Sequence, residues 1–404
     1  MAPTSATVLA INGGSSSVKF AVHGAEGSMD HVLSGKIDRM GMDGSTLSWH
    51  TAEGGASDGE IDVPVGRSGH GFLVDWLEAR EEFGSVVAVG HRVVHGMNRT
   101  EPVRITPDVL DELRDATRYA PDHLPGELTL IEAFRDGHPD LPQVVCFDTA
   151  FHAGMPRVAT LLPVPRRYQA QGVKRYGFHG LSYAYLIEEL ARVAGRDAAH
   201  GRVILAHLGN GASLAAMRGG KSRDTSMGFT PAAGLMMSTR TGDLDPGLLS
   251  FLAHSEQMTI EQFHNMVHHE SGLLGLSETS ADMRDLLTRE PDDARAADAI
   301  SLFCYQATKG VGAFAAVLGG VDTLVFSAGI GEGSAPIRSR ICEGLGFLGL
   351  TLDEDRNAAH AAVISRDASG VVVRVIPTNE ERMIVRSVSR VLRLTTPSRK
   401  DAQP

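Results

Sequence analysis

Two segments half a chain apart most narrowly limit what this polypeptide can fold into. Ile11 to Phe20 reads INGGSSSVKF, and His207 to Met217 reads HLGNGASLAAM. Each sets out a strand, an Asn/Gly turn, a small hydroxyl residue and a second strand, in that order. Their separation is too long for a solenoid period and suggests two related domains. The length agrees, because 404 residues are too many for one compact core.

The rest of the chain interleaves strands and helices, the pattern of an α/β protein. Short apolar runs at Val86 to Val89, Val144 to Phe147, Val203 to Ala206, Thr323 to Phe326 and Val371 to Ile376 read as buried strands. Gly41 to Gly59 reads as hairpin and loop. Asp108 to Tyr119 reads as a helix, with Thr106 as N-cap and Pro107 at its first position. Asp293 to Leu318 reads as a long Ala-rich helix and Glu381 to Leu394 as a closing one.

Acidic residues outnumber basic ones, 49 to 38, for a net charge of -11, which argues against a nucleic-acid groove. A cleft can still oppose the net charge locally and hold an anion. Three cysteines without a CxxC pair exclude a disulfide framework or zinc knuckle as an expectation. Met1 to Ala10 lacks the pattern of a secretory signal, and no run approaches the roughly 20 apolar residues of a membrane span. A soluble, cytoplasmic protein with no membrane partner is expected.

Phosphate is bound by backbone N–H groups that approach closely, so Gly and small hydroxyl residues gather in such turns. Asn12 to Ser17, His207 to Gly211 and Gly329 to Gly333 are three candidates. Singly, each is more often a hairpin turn or a packing glycine; three of them on a duplicated pattern point to a nucleotide cleft. Gly220-Lys221-Ser222 fails as a Walker A loop because Ala215 stands where its first glycine belongs, and Gly329 to Gly333 misses the dinucleotide spacing.

Cationic and imidazole groups stand in Gly-flanked turns: Arg92 in GHRVVHG, His179 in RYGFHG and Arg240 in STRTGDLDPG. Alone, the arginines read as surface ion pairs and the histidine as a turn residue. Together they are what transfer between two anions requires, since phosphoryl transfer is mostly positioning and charge neutralisation. Asp148 follows a buried strand and Glu380 follows another, with capping and first-turn roles as the plain alternatives. His264, His268 and His269 share a spacing but lack HExxH or a clear third ligand, and read as a polar helix face.

The segments INGGSSSVKF, GHRVVHG, FDTAFH, RYGFHG, HLGNGASLAAM, MGFTPAAGLMMSTRTGDLDPG, FSAGIGEGSAPIR and IPTNEE, spanning residues 11 to 381, resemble the acetate kinases in content and order. That family belongs to the acetate and sugar kinase, actin and chaperone ATPase superfamily. The resemblance implies two duplicated actin-like ATPase domains of mixed sheet plus helices, with the active cleft between them. Residues 1–150 with about 383–404 would form the first domain and 151–382 the second. It also implies a homodimer, reversible transfer from ATP to acetate, Mg²⁺ as cofactor with Mn²⁺ as a substitute, and a small carboxylic acid as substrate.

By the same resemblance, Asn12 and Glu380 belong to the magnesium site, and Ser15, Ser17 and Lys19 to the first phosphate turn. Arg92 would bind the acyl substrate or the moving phosphate. Asp148 matches the essential acid, acting on metal or proton, and His179 and Arg240 match transition-state stabilisers. His207, Leu208, Gly209, Asn210 and Gly211, then Asp282, Met283 and Arg284, then Gly329, Ile330, Gly331, Glu332 and Gly333 would bind the nucleotide. Val94, His123, Phe178 and Pro231 would line the acyl site.

A carboxylate is ionised at neutral pH, its reference pKa being about 4, so the acceptor needs charge relief more than a base. This favours direct in-line transfer over a phospho-enzyme.

Two segments depart from the family. Where it reads APLHNP this chain reads Ala120-Pro121-Asp122-His123-Leu124-Pro125, and Gly333 replaces an Asn. The first departure touches the acyl wall and leaves propionate or butyrate as alternative acids. A non-metabolic actin-like ATPase is the more distant alternative, and the pair Arg92 and Arg240 speaks against it.

Overall fold

The computed structural model describes residues 6–14, 17–27, 29–39, 44–52, 54, 58–64 and 68–394. The chain divides into two compact units, Met1–Ala150 with Asn379–Pro404, and Phe151–Thr378.

The first unit is built on a mixed sheet. Its strands among the described residues are β1 (Thr7–Gly13), β2 (Ser17–Gly24), β3 (His31–Asp38), β4 (Thr46–Thr51), β5 (Gly59–Asp62), β6 (Val86–Val93), β7 (Val103–Arg104) and β8 (Gln143–Phe147). They lie in the order β5-β4-β3-β2-β1-β6-β8-β7. The segment from β1 to β5 is an antiparallel meander, whereas β1, β6 and β8 run parallel. One face is sealed by Leu9, Ile11, Phe20, Leu33 and Leu47 with Phe72, Leu73, Leu130 and Phe134 of two helices.

The closing helix, Glu380–Leu392, presents Ile384 and Val388 to this sheet. It lies so close to Gly90 that a Cβ there would stand 2.4 Å from Ile384 and 2.5 Å from Val388. Gly90 is paired on both sides within β6, and the strand runs four residues beyond the expected end at Val89. The helix Pro107–Ala116 starts as expected, with the Thr106 hydroxyl accepting the Val109 N–H.

In the second unit the strands among the described residues are β9 (Arg202–Leu208), β10 (Ala212–Arg218), β11 (Lys221–Thr225), β12 (Thr323–Ser327) and β13 (Val372–Val375), ordered β11-β10-β9-β12-β13. β9 and β12 are near-continuous buried runs, as strands covered on both faces must be. Tyr183, Leu186 and Leu190 of helix Gly180–Ala194 pack on Val203, Leu205, Ala215 and Val325. The long helix Ala294–Leu318, capped by Asp293, packs against β10.

The duplication is visible in topology. The order β3-β2-β1-β6-β8 in one sheet and β11-β10-β9-β12-β13 in the other share three antiparallel strands followed by two parallel ones. The mixed α/β class with a duplicated sheet core is the expected one. Ile260–Asn265 is helical, but Met266–Glu270 widens into a π-helical turn, so the three histidines do not share one regular helix face.

Candidate active site

Cross-strand register gathers the first group of residues. Asn12 on β1 pairs with Lys19 on β2 and with Arg92 on β6. Cross-strand partners share a face, so one row carries Lys19, Asn12 and Arg92. Lys19 is exposed and Ser17 half-buried; Ser15 lies outside the described residues. The turn after β1 is closed by the Gly14 N–H donating to the Ser17 carbonyl at 2.7 Å.

Arg92 is the hub of this unit. Its Nε and Nη2 donate to Asp148 Oδ2 at 3.0 and 2.6 Å, and its Nη1 donates to the Gly13 carbonyl at 2.7 Å. Asp148 sits just past β8, where its own N–H donates to the Val93 carbonyl at 3.0 Å. Its Oδ1 is buried and has no hydrogen-bond partner. A buried carboxylate oxygen left bare is costly unless a ligand completes it.

Next to it, Asn12 Nδ2 donates to Glu380 Oε2 at 2.7 Å and to Glu381 Oε1 at 3.0 Å. Burial, then Asp148 and Glu381, push the Glu380 carboxyl up to about 7, against the pull of Arg92 and Asn12. Bare and crowded carboxylate oxygens together make a site that favours a small hard cation. Asn12, Asp148 and Glu380 fit such an ion by donor type.

Glu127 joins this group and was missed in sequence. It lies on the inward stripe of helix Leu124–Gly137, among Leu124, Leu128, Ile131 and Phe134. An acid at a core-facing position of a helix was the signal that marks it. Val94, just past the end of β6, is fully buried, and its N–H donates to Glu127. His123 and Asp122 stand half-buried just before that helix, and Leu124 is fully buried.

The second unit gathers the other group. His179 precedes helix Gly180–Ala194 in a left-handed conformation, φ 59°, an unusual backbone for a residue with a side chain. Its Nδ1 bonds the Ser213 hydroxyl at 2.8 Å, and Ser213 also meets the Tyr183 hydroxyl at 2.5 Å. That bond fixes the ring and directs Nε2 to Gly211, where a Cβ would stand 3.1 Å from both His179 Nε2 and Arg240 Nη2. Arg240 is anchored through Nη1 to the Pro231 carbonyl at 2.7 Å. His179 and Arg240 thus converge beside the β9–β10 turn. Phe178 and Pro231 are buried.

The nucleotide candidates fall partly together. His207 and Leu208 end β9, Gly209 to Gly211 form the turn, and His207 stacks on His179 with ring centroids 4.1 Å apart. Asn210 is held by Ser238, whose N–H donates to the Asn210 carbonyl at 3.1 Å. β12 runs parallel to β9, so helix Ala328–Gly333, carrying Gly329 to Gly333, starts beside that turn. A Cβ on Gly209 would lie 3.4 Å from the Ala328 Cβ. Glu332 closes the loop by accepting the Ala328 N–H at 2.6 Å and the Thr378 N–H at 3.1 Å.

Asp282, Met283 and Arg284 begin a separate helix, Met283–Arg289. Asp282 caps it and pairs with Arg284, whose side chain is exposed, while Met283 is buried.

The duplicated mixed-sheet core, Arg92 with Asp148 in the first unit, and His179 with Arg240 and the glycine turns beside parallel strands in the second suit an enzyme of the phosphotransferase class. A family model described as the acetokinase family matches residues 7–386, and the chain belongs to that family, phosphotransferases with a carboxyl group as acceptor. The chain is 45% identical to an acetate kinase of Rhodopseudomonas palustris over 95% of its own length and 98% of the relative's. It is 41% identical to a propionate kinase of Citrobacter rodentium, covering 96% and 98% of the two chains. The crystal structure of Porphyromonas gingivalis acetate kinase superposes with a TM-score of 0.85 at 35% identity, covering 96% of this chain and all of that one.

Proposed function

We propose that the protein phosphorylates acetate reversibly, passing the γ-phosphoryl group of ATP to the carboxylate. The observation that carries this reading is Arg92, held by Asp148 beside the fully buried Val94. A cation beside an apolar wall suits a carboxylate with a very short alkyl end. A carboxylate oxygen attacks the γ-phosphorus, the new O–P bond forms as the bond to the β–γ bridging oxygen breaks, and ADP leaves with that electron pair.

Arg92 binds and orients the acid. Arg240 and His179 donate towards the equatorial oxygens, where charge spreads in the transition state. The turn Gly209 to Gly211 and the loop Gly329 to Gly333 offer backbone N–H groups to nucleotide phosphates, with Asp282 to Arg284 as a further nucleotide segment. In this reading Arg92, Val94 and His123 of the first unit and Phe178 and Pro231 of the second serve the acid, and the glycine turns of the second unit serve the nucleotide. Asn12, Glu380 and Asp148 would hold Mg²⁺, directly or through its waters, and the ion supplies charge neutralisation of the phosphates.

The test is ATP turnover with hydroxylamine present, with and without acetate, propionate and butyrate. Acid-dependent hydroxamate is expected, largest for acetate. A small apolar pocket separates neighbours by roughly 1–3 kcal/mol per methylene, so lesser propionate turnover is expected too. Phosphate release that ignores the acid would support an ATPase instead.

Homodimers are part of the same proposal. Leu302 and Tyr305 lie exposed on helix Ala294–Leu318, and the exposed Phe347 reaches to 3.9 Å of a Cβ position on Gly312, two turns beyond Tyr305 on nearly the same face. An exposed apolar stripe of this kind suits a second copy. Sedimentation of wild type and of a Tyr305→Glu, Phe347→Glu double variant tests it; a monomeric wild type would refute it. A cytoplasmic location belongs to the proposal as well; among the described residues, no helix is long and apolar enough to cross a membrane.

A further inference from the structure

Glu127 has no part in the reading above, yet its placement is unusual. It occupies an inward position of helix Leu124–Gly137, and its side chain is 3% exposed. Both of its oxygens accept the Val94 N–H, at 3.2 and 3.1 Å, and Oε1 lies 3.3 Å from Arg92 Nη1. One guanidinium thus faces two buried carboxylates, because Asp148 already takes its Nε and Nη2.

Satisfying the Val94 N–H does not require an acid. A glutamine carbonyl would accept the same bond without the penalty of burying a charge. What the carboxylate adds is a negative charge beside the arginine proposed to bind the acid. Asp148 already balances the single charge of Arg92, so an ionised Glu127 leaves this corner net negative. An incoming carboxylate then meets repulsion that a neutral residue would remove.

We propose that Glu127 is a positioning residue that fixes Arg92 and Val94 for the carboxylic acid and sets, by its charge, how strongly Arg92 draws that acid. The inference rests on the reading of Arg92 as the acid-binding arginine. Other titratable groups face this corner from the surrounding elements. They are Asp148 after β8 and Glu380 at the start of the closing helix, while His70 on helix Gly69–Glu78 has its Nε2 beside the neighbouring Gly126.

Burial pushes the Glu127 carboxyl up to about 7; Arg92 and the Val94 N–H oppose the shift and Asp148 adds to it. Below that pH the group is neutral and Arg92 answers to Asp148 alone. Above it the added charge weakens acid binding, so KM for the acid rises as pH rises. A group titrating at about 7 is about nine-tenths protonated at pH 6 and about one-tenth at pH 8, which limits the rise to about tenfold.

The experiment measures kcat and KM for acetate at pH 6, 7 and 8, at saturating ATP and Mg²⁺, in the full-length wild type, Glu127→Gln and Arg92→Lys. In the wild type, KM should rise severalfold from pH 6 to pH 8 while kcat changes less. Glu127→Gln should keep kcat within about threefold and hold KM at pH 8 near the wild-type pH 6 value. A Glu127→Gln enzyme with the wild-type KM at every pH overturns the proposal, even if its melting temperature falls, because Glu127 would then be only structural. A wild-type KM that is flat from pH 6 to 8 overturns it without need of any variant. An unchanged KM in Arg92→Lys would instead bring down the underlying reading of Arg92.

Discussion

Gly211→Ala isolates the convergence of His179 and Arg240. The added Cβ would stand 3.1 Å from His179 Nε2, 3.3 Å from its Cε1 and 3.1 Å from Arg240 Nη2. Ordinary contact begins near 3.4 Å, so each group must retreat by about 0.3 Å. The backbone at Gly211 does not have positive φ, so alanine adds little strain of its own. A misplacement of 1 Å at a reacting centre can cost about a hundredfold, and a donor lost from a developing charge costs about 3 kcal/mol.

Two donors displaced together should therefore lower kcat by roughly tenfold to a hundredfold. The unfolding free energy should change by less than about 1 kcal/mol, since the displaced atoms are side-chain ends. Gly209→Ala is the control: its Cβ meets Ala328 at an ordinary 3.4 Å, and kcat should stay within about threefold. Hydroxamate formation at saturating substrates, with thermal unfolding of each variant, measures both effects. A Gly211→Ala enzyme with near wild-type kcat would refute the placement of the two groups at the reacting phosphorus.

Arg92→Ala should lower kcat/KM by about a hundredfold or more, the loss expected for a charge-assisted contact at a transferring group, and near wild-type kinetics would remove it from the site. Asn12→Ala and Glu380→Ala should each raise the Mg²⁺ concentration giving half-maximal rate; unchanged titrations in both would show that the ion is held elsewhere. Gly329→Ala adds a Cβ with no protein atom within 4 Å, so it should fold normally and raise KM for ATP; an unchanged KM would take that loop out of the nucleotide site.

Much of this was legible in the sequence because its signals are local. The Thr106 cap with Pro107 and the Asp293 start of the long helix depend on neighbours within a few residues. The repeated strand–turn–strand pattern marked the two sheets. Gly90 was read as the end of a strand, since glycine usually interrupts one. It remains within β6, paired with β1 and β8, and its lack of a side chain makes room for Ile384 and Val388, nearly 300 residues on.

Glu127 was missed for a related reason. Pro125 and Gly126 open its helix and weaken the periodic signal in the first turn, so the inward stripe that makes the acid conspicuous was not drawn. The convergence of His179 with Arg240 depends on Ser213 and Gly211, and no spacing in the sequence brings those four together. The histidines His264 and His268 do stack, with centroids 4.0 Å apart, but on a stretch that passes into a π-helical turn.

The central claim is that an acid oxygen attacks the γ-phosphorus of ATP, and isotope transfer tests it most directly. Acetate carrying ¹⁸O in both carboxyl oxygens is incubated with ATP, Mg²⁺ and the enzyme, and the products are followed by phosphorus NMR. The expected products are ADP and an acyl phosphate whose resonance is shifted by one ¹⁸O in the C–O–P bridge. AMP with pyrophosphate, or inorganic phosphate formed with no acyl phosphate, would contradict it.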